Sequence, residues 1–373
     1  MKLTNPFIVY GYVAPEYFCD REEETERLIS ALRNGRNITL MSPRRMGKTG
    51  LVHNAFHHIE KRYANATCFY VDIYATDTMA DFVKVFGETV LGTMDSLAQK
   101  TMGALTTALS HCKISYSNDA LLGGGKVTLQ LEKEDANATL RDIFEYLGQS
   151  ERECFIAIDE FQQIAEYPEE NVEALLRTYV QKYNMLHFVF SGSKSHMMSA
   201  IFDSPKRPFY RSTEKIHLDI IPEAAYYEFA STHLKTTMTI LSEEAFHTIY
   251  EMFGGHTWYV QYVLNKLYEK SPAVVDDEVI GHCVHDIITS NSEDYKKLYR
   301  LLTSNQQQLL RAIAHEGTVT AINASAFINK YSLKGSSSVN KALDYLLRNE
   351  FVYSYEDGYQ VYDRFMALWL SRL

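Results

Sequence analysis

An eight-residue loop limits what this chain can fold into more than any other stretch: Ser42, Pro43, Arg44, Arg45, Met46, Gly47, Lys48 and Thr49. It follows a short apolar run, Ile38–Met41, and precedes a stretch in which Leu51, Val52, Ala55, Phe56 and Ile59 recur at helical spacing. That pattern predicts a buried strand, a tight loop and a helix with one stripe against a sheet. A helix N-terminus behind such a loop points backbone N–H groups at one spot and suits an anion. Gly47 permits close backbone approach, Lys48 supplies a cation and Thr49 a hydroxyl, the set that a triphosphate and its Mg²⁺ require. Ser42 stands where the strict form of this loop has glycine. Together with Gly50, these residues are the candidate nucleotide-binding loop. Between 33 and 62 the chain carries seven basic residues (Arg33, Arg36, Arg44, Arg45, Lys48, Lys61, Arg62) and one acidic residue, Glu60. That excess suits a polyanion, with Lys61 and Arg62 read as a solvated helix end.

The matching acidic signal is Cys154-Phe-Ile-Ala-Ile-Asp159-Glu160, a buried strand ending in two carboxylates. Adjacent acids at the end of an apolar strand are costly unless a cation or water meets them. Asp159 is the candidate Mg²⁺ holder with Thr49, and Glu160 the group that polarises an attacking water. The next apolar run, His187–Phe190, ends in Ser191-Gly-Ser193-Lys194. Ser193 is placed to sense the terminal phosphate if that strand lies between the other two. Arg207 and Arg211 precede the fifth run. Arg211 is the better candidate for an arginine finger, acting in cis or in trans, and a structural ion pair is an equal reading. His53, His57 and His58 share a helix but lack the glutamate of a zinc-protease motif, so no zinc site is expected.

Five runs, Ile38–Met41, Cys68–Ile73, Cys154–Ile158, Leu186–Phe190 and Ile216–Ile221, alternate with helical patterns, which predicts a parallel α/β sheet covered on both faces. The stretch from about 86 to 150 reads as an insertion, with a turn at Gly123–Gly125 and an edge strand or hairpin over Lys126–Leu131. From 222 to 300 the pattern is helical, starting at Pro222-Glu223 and again at a Ser242 cap. The last part, 301–373, reads as three helices and a hairpin: a capping-box start at Ser304–Gln307, a short helix over Ala324–Lys330, a third from Ser336–Ser338 burying Val339, Leu343, Leu346 and Leu347, and strands around Asp357-Gly358. That is a winged helix. The composition, 46% hydrophobic and 23% charged, is that of a globular protein. The five cysteines form no CxxC pair, which points to a reducing compartment. No apolar run reaches the length of a membrane span. Pro6–Val13 is short and tyrosine-rich and reads as part of the fold. A soluble cytoplasmic protein is expected.

With both motifs in place, the chain resembles the archaeal-type ATPases of the STAND branch of AAA+-like P-loop proteins. The resemblance rests on Phe18-Cys-Asp-Arg21-Glu22, Pro43-Arg44-Arg45-Met-Gly47-Lys48-Thr49, Asp159-Glu160-Phe161-Gln162, Ser191-Gly-Ser193, Pro208-Phe-Tyr-Arg211, Gly254-Gly255-His256 and Tyr362-Asp363-Arg-Phe-Met-Ala-Leu-Trp369. It implies a core over 1–221 with strand order 5-1-4-3-2, whose N-terminal segment 1–34 lies on the adenine side. A helical lid over 222–300 and a winged helix over 301–373 follow. It also implies that Val13, Phe18 and Arg21 lie against adenine, with ATP or ADP and Mg²⁺ as the bound groups. Gly50 replaces the usual serine, and the usual glycine before Arg211 is absent. No arginine follows Gly254-Gly255, which leaves His256 as a weak substitute for a second sensor.

The leading expectation is an ATP-binding, slowly hydrolysing switch in which nucleotide rearranges lid and winged helix, with a protein partner of unstated identity. One alternative is a DNA-binding ATPase related to origin-recognition proteins. Residues 303–373 hold seven basic and six acidic side chains, a balance that does not favour it. Another is a scaffold that holds ADP with little turnover. The oligomeric state is left open.

Overall fold

The computed structural model describes residues 4–97, 111–119, 124–355 and 358–373. The expected turns at Gly123 and Asp357 lie outside them. The chain divides into two compact units, Tyr10–Ile221 and residues 4–9 with Pro222–Leu373.

The strands of the first unit are β1 (Ile38–Met41), β2 (Ala66–Asp72), β3 (Lys113–Asp119), β4 (Gly124–Gln130), β5 (Glu153–Asp159), β6 (Leu186–Gly192) and β7 (Glu214–His217). β3 and β4 pair antiparallel with each other. The other five form one parallel sheet in the order β2-β5-β6-β1-β7. Alternate side chains of these strands feed two separate cores. Ile156, Ile158, Phe188 and Phe190 enter one with Phe82, Phe86, Phe144 and Phe161; Leu40, Phe155, Ala157 and Val189 enter the other with Leu28, Leu51, Val52 and Phe56. Helices α1 (Glu22–Arg33) and α2 (Lys48–Arg62) cover the second face. Helices α3 (Met79–Leu97), α4 (Ala136–Gly148), α5 (Val172–Lys182) and α6 (Ser195–Asp203) cover the first. A sheet buried on both faces explains why its strands read as nearly continuous apolar runs.

Among the described residues of 86–150, Val127 and Leu129 of β4 share the core of Phe86 and Phe144. One sequence reading changes here. The fifth strand lies at Glu214–His217 rather than Ile216–Ile221. It is an edge strand, so Glu214 and Lys215 pair with Ile38 and Thr39 while their side chains reach solvent-facing partners.

The second unit contains α7 (Glu223–Leu234), α8 (Glu243–Met252), α9 (Thr257–Lys270) and α10 (Asp277–Arg300), with the short parallel pair β8 (Ile240–Leu241) and β9 (Val274–Val275). Then come α11 (Ser304–Glu316), α12 (Ser325–Lys330), α13 (Ser336–Arg348), β10 (Val352–Tyr355), β11 (Gly358–Val361) and α14 (Arg364–Leu370). Ser242 caps α8 by accepting from the Ala245 N–H at 3.2 Å. The capping box of α11 is formed by Thr303 with Gln306, one residue earlier than the sequence reading. In α13, Ala342 is buried and Leu347 half-buried, so the apolar stripe is rotated slightly. Residues 4–9 belong to this unit because Phe7, fully buried, fills a cage of Phe229, His233 and Tyr268. Asn265 Nδ2 and Trp258 Nε1 donate to the Phe7 and Val9 carbonyls at 2.7 and 3.0 Å. Among the described residues, no helix is long and apolar enough to cross a membrane.

Candidate functional site

The loop between β1 and α2 turns on two left-handed residues, Arg45 (φ 65°) and Gly47 (φ 98°). Such alternation of hand turns successive N–H groups inward to cradle an anion. Ser42 and Met46 are buried, Arg45 is exposed, and Pro43, Arg44, Gly47, Thr49 and Gly50 are half-buried. Lys48 is buried as well, and its Nζ donates to the Ser42 and Pro43 carbonyls at 2.8 and 3.1 Å. Burial pushes its pKa down to about 8, against the pull of Asp159 and Glu160 in the other direction. A desolvated ammonium resting on neutral carbonyls fits a polyanion that would take their place.

β5 brings the acids to the same edge of the sheet. Thr49 Oγ1 donates to Asp159 Oδ2 at 3.2 Å, which joins the loop to the acidic strand. Ser191 Oγ donates to Asp159 Oδ1 at 2.6 Å, and the Tyr70 hydroxyl donates to Asp159 Oδ2. Asp72 pairs in register with Asp159. Its carboxyl is held above the usual range, first by burial and then by the charges of Asp159 and Glu160, with the Tyr74 N–H pulling the other way. Carboxylates and hydroxyls at this edge make an all-oxygen donor set, which fits a hard divalent cation such as Mg²⁺. β6 lies between β1 and β5. Ser193, just after it, donates to Glu160 Oε2 at 2.8 Å and accepts from Arg44 Nε at 3.3 Å.

The segment named for adenine divides. Phe18 lies on Gly50: a Cβ at Gly50 would come 2.9 Å from the Phe18 ring, so the missing serine side chain is what makes room for Phe18. Val13 is exposed. Arg21 is turned into the fold, with its guanidinium on Glu24 at 2.7 Å and on the Asp219 carbonyl.

Arg211 is not brought to this edge. Glu214, the first residue of β7, pairs with Ile38, the first residue of β1. Arg211 therefore lies at the opposite edge of the sheet from the loop that follows Met41. There it lines a cleft with Phe202, Asp203, Tyr210, Thr213 and Lys215. Arg207 is ion-paired with Glu173 at 2.5 Å. Burial raises the Glu173 carboxyl and Arg207 opposes that shift. Arg207→Ala should cost about 1–3 kcal/mol of stability at neutral pH by stranding a buried carboxylate. The loss should shrink on acidification, as Glu173 takes a proton. Denaturant melts at two pH values check this.

Tyr70 has no part in the sequence reading; Ser191 and Gln162 enter it only inside longer motifs, with no role of their own, and His53 only as a discounted zinc ligand. Tyr70 and Asp72 share a face of β2 two residues apart, the available clue. His53 packs at a tilt against Tyr70 and stacks with Tyr12, at ring distances of 4.4 and 6.0 Å.

A profile described as an ATPase domain predominantly from Archaea matches residues 18–263, and one described as "Probable winged helix domain" matches residues 293–372. No curated protein sequence matches. Among solved structures, the chain is similar to a Walker-type ATPase of Pyrococcus abyssi, with 18% identity, a TM-score of 0.66 and coverage of 99% of this chain and 100% of that one. It is also similar to the ORC2 protein of Aeropyrum pernix in ADPNP–ADP complexes, with 15% identity, a TM-score of 0.58 and coverage of 98% and 95%. The Aeropyrum pernix ORC1 protein in complex with DNA follows, with 13% identity, a TM-score of 0.53 and coverage of 98% and 96%. The phosphate-type loop, the acid pair beside it at the same edge of a parallel sheet and the family match over most of the chain lead to one statement: this protein belongs to the ATPase family found predominantly in Archaea.

Proposed function

We propose that the first unit binds ATP and hydrolyses it slowly, as a switch whose nucleotide state is read out by the second unit. The observation that carries this reading is the meeting of the buried Lys48 ammonium, Thr49 and the Asp159–Glu160 pair at one sheet edge, tied by the Thr49–Asp159 hydrogen bond. Loop N–H groups and Lys48 would bind the β- and γ-phosphates. Thr49 and Asp159 would hold Mg²⁺, which neutralises charge on the phosphate oxygens when bound. Glu160 would orient a water and accept its proton as the water oxygen bonds to the γ-phosphorus and ADP leaves with the electron pair. The position of Arg211 supports slow turnover, since a finger on the far edge serves only a neighbouring copy. Phosphate release from ATP by the full chain tests the reading; a rate no different from that of the Lys48→Met variant removes it.

A pH dependence follows from Lys48. In the free protein it loses its proton from about pH 8 upward, whereas bound polyphosphate keeps the proton on. Binding above that pH must take up a proton, so affinity should hold to about pH 8 and then weaken towards tenfold per pH unit. Titration with a fluorescent ATP analogue between pH 7 and 9.5 checks this; a flat profile places Lys48 away from the phosphates.

The second reading is DNA binding, motivated by the winged helix and by the similarity to the ORC1 protein solved with DNA. The near balance of seven basic and six acidic side chains over 303–373 does not favour it. Lys330 and Arg348 are ion-paired with Glu316 and Asp344, and Arg364 hydrogen-bonds to Tyr353 and Gln360. Duplex affinity with a steep salt slope would support this reading.

A further inference from the structure

We propose that Gln162 is the positioning residue of Glu160, an inference that rests on the reading of Glu160 as the water-activating group. Gln162 Nε2 donates to Glu160 Oε2, and Ser193 Oγ donates to the same oxygen at 2.8 Å. Both donors use Oε2, which fixes the carboxylate plane and leaves Oε1 to accept from water. Glu160 needs such a hold, because its backbone is left-handed (φ 56°, ψ 39°), a conformation that non-glycine residues adopt at a cost.

The surroundings show what the amide is for. Gln162 is 2% exposed and follows Phe161, which is wholly buried. Its Oε1 is buried with no hydrogen-bond partner. A Cβ on Gly192 would lie 2.3 Å from that oxygen and 2.6 Å from Met198 Sδ, so the glycine that ends β6 is the space in which the amide lies. A buried, half-satisfied amide among apolar groups is a burden on stability that a methionine of similar shape would not carry. The hydrogen bond to Glu160 is what the amide provides in return. Arg44 Nε reaches the same assembly through Ser193 Oγ at 3.3 Å, which links the phosphate loop to the orientation of Glu160.

The test uses the full chain with Gln162→Met, which keeps volume and removes the donor. Single-turnover ATP hydrolysis should fall at least tenfold, nucleotide affinity should stay within threefold, and the melting temperature should hold or rise. In a Glu160→Ala background, Gln162→Met should change the residual rate less than twofold, since it acts through the group already removed. Undiminished turnover, an equal loss in both backgrounds, or a Gln162→Met chain that is less stable or unfolded would overturn the proposal. If Glu160→Ala itself turns over like the unaltered chain, the functional reading fails. If Glu160→Ala is slow and Gln162→Met is not, this inference fails alone.

Discussion

Lys48→Met should yield a folded chain whose affinity for ATP is weaker by roughly 30- to several-thousand-fold, the range expected from losing 2–5 kcal/mol when one partner of a buried charge pair is removed. The ammonium is almost wholly desolvated, and its hydrogen bonds go to two carbonyls of its own loop. The desolvation cost of the charge outweighs the attraction of Asp159 and Glu160, as the lowered pKa shows. Burial already depresses its pKa, so the free protein holds the proton against a cost. Removing the charge should therefore leave the melting temperature of the nucleotide-free chain unchanged or raised. The two results together separate this site from an ordinary buried salt bridge, whose loss would weaken fold and binding alike. Calorimetric titration and a thermal melt on the same sample measure both.

Glu160→Gln should lower turnover by about 10²–10⁴-fold, the span attributed to a positioned general base, while ATP affinity stays within about threefold. The substitution keeps size and shape at a half-buried position held by Ser193. What it removes is the capacity to accept a proton from water. ATP should consequently remain bound and uncleaved, so that single-turnover assays recover it intact. A matched fall in affinity and rate would instead place Glu160 in binding.

Much of the fold and of the site is legible in the sequence. β1 is read to the residue, and β6 begins where the sequence places it, because strands buried on two faces announce themselves as short apolar runs. The stripe Leu51, Val52, Ala55, Phe56, Ile59 is wholly buried, as helical spacing requires. The sequence misplaces β7 because an edge strand can carry Glu214 and Lys215, while Leu218 and Ile221 are buried beyond the end of the strand. Alternation after Gly125 signals a hairpin strand but does not say that Val127 and Leu129 enter the core of Phe86 and Phe144.

Within the candidate site, the loop and the acid pair are contiguous motifs and so could be read. Tyr70 and Ser191 join them through register: Asp72 lies beside Asp159, and β6 lies beside β5. Pairing between distant strands is not written in local spacing. The same holds for Arg211, whose distance from the loop follows from the parallel pairing of β7 with β1.

The most direct test of the central claim is a structure of the full chain with Mg²⁺ and a non-hydrolysable ATP analogue. The account predicts that Lys48 Nζ leaves the Ser42 and Pro43 carbonyls for the β- and γ-phosphates, with the metal between Thr49 and Asp159. An analogue bound elsewhere, with Lys48 still on its own loop carbonyls, would contradict it.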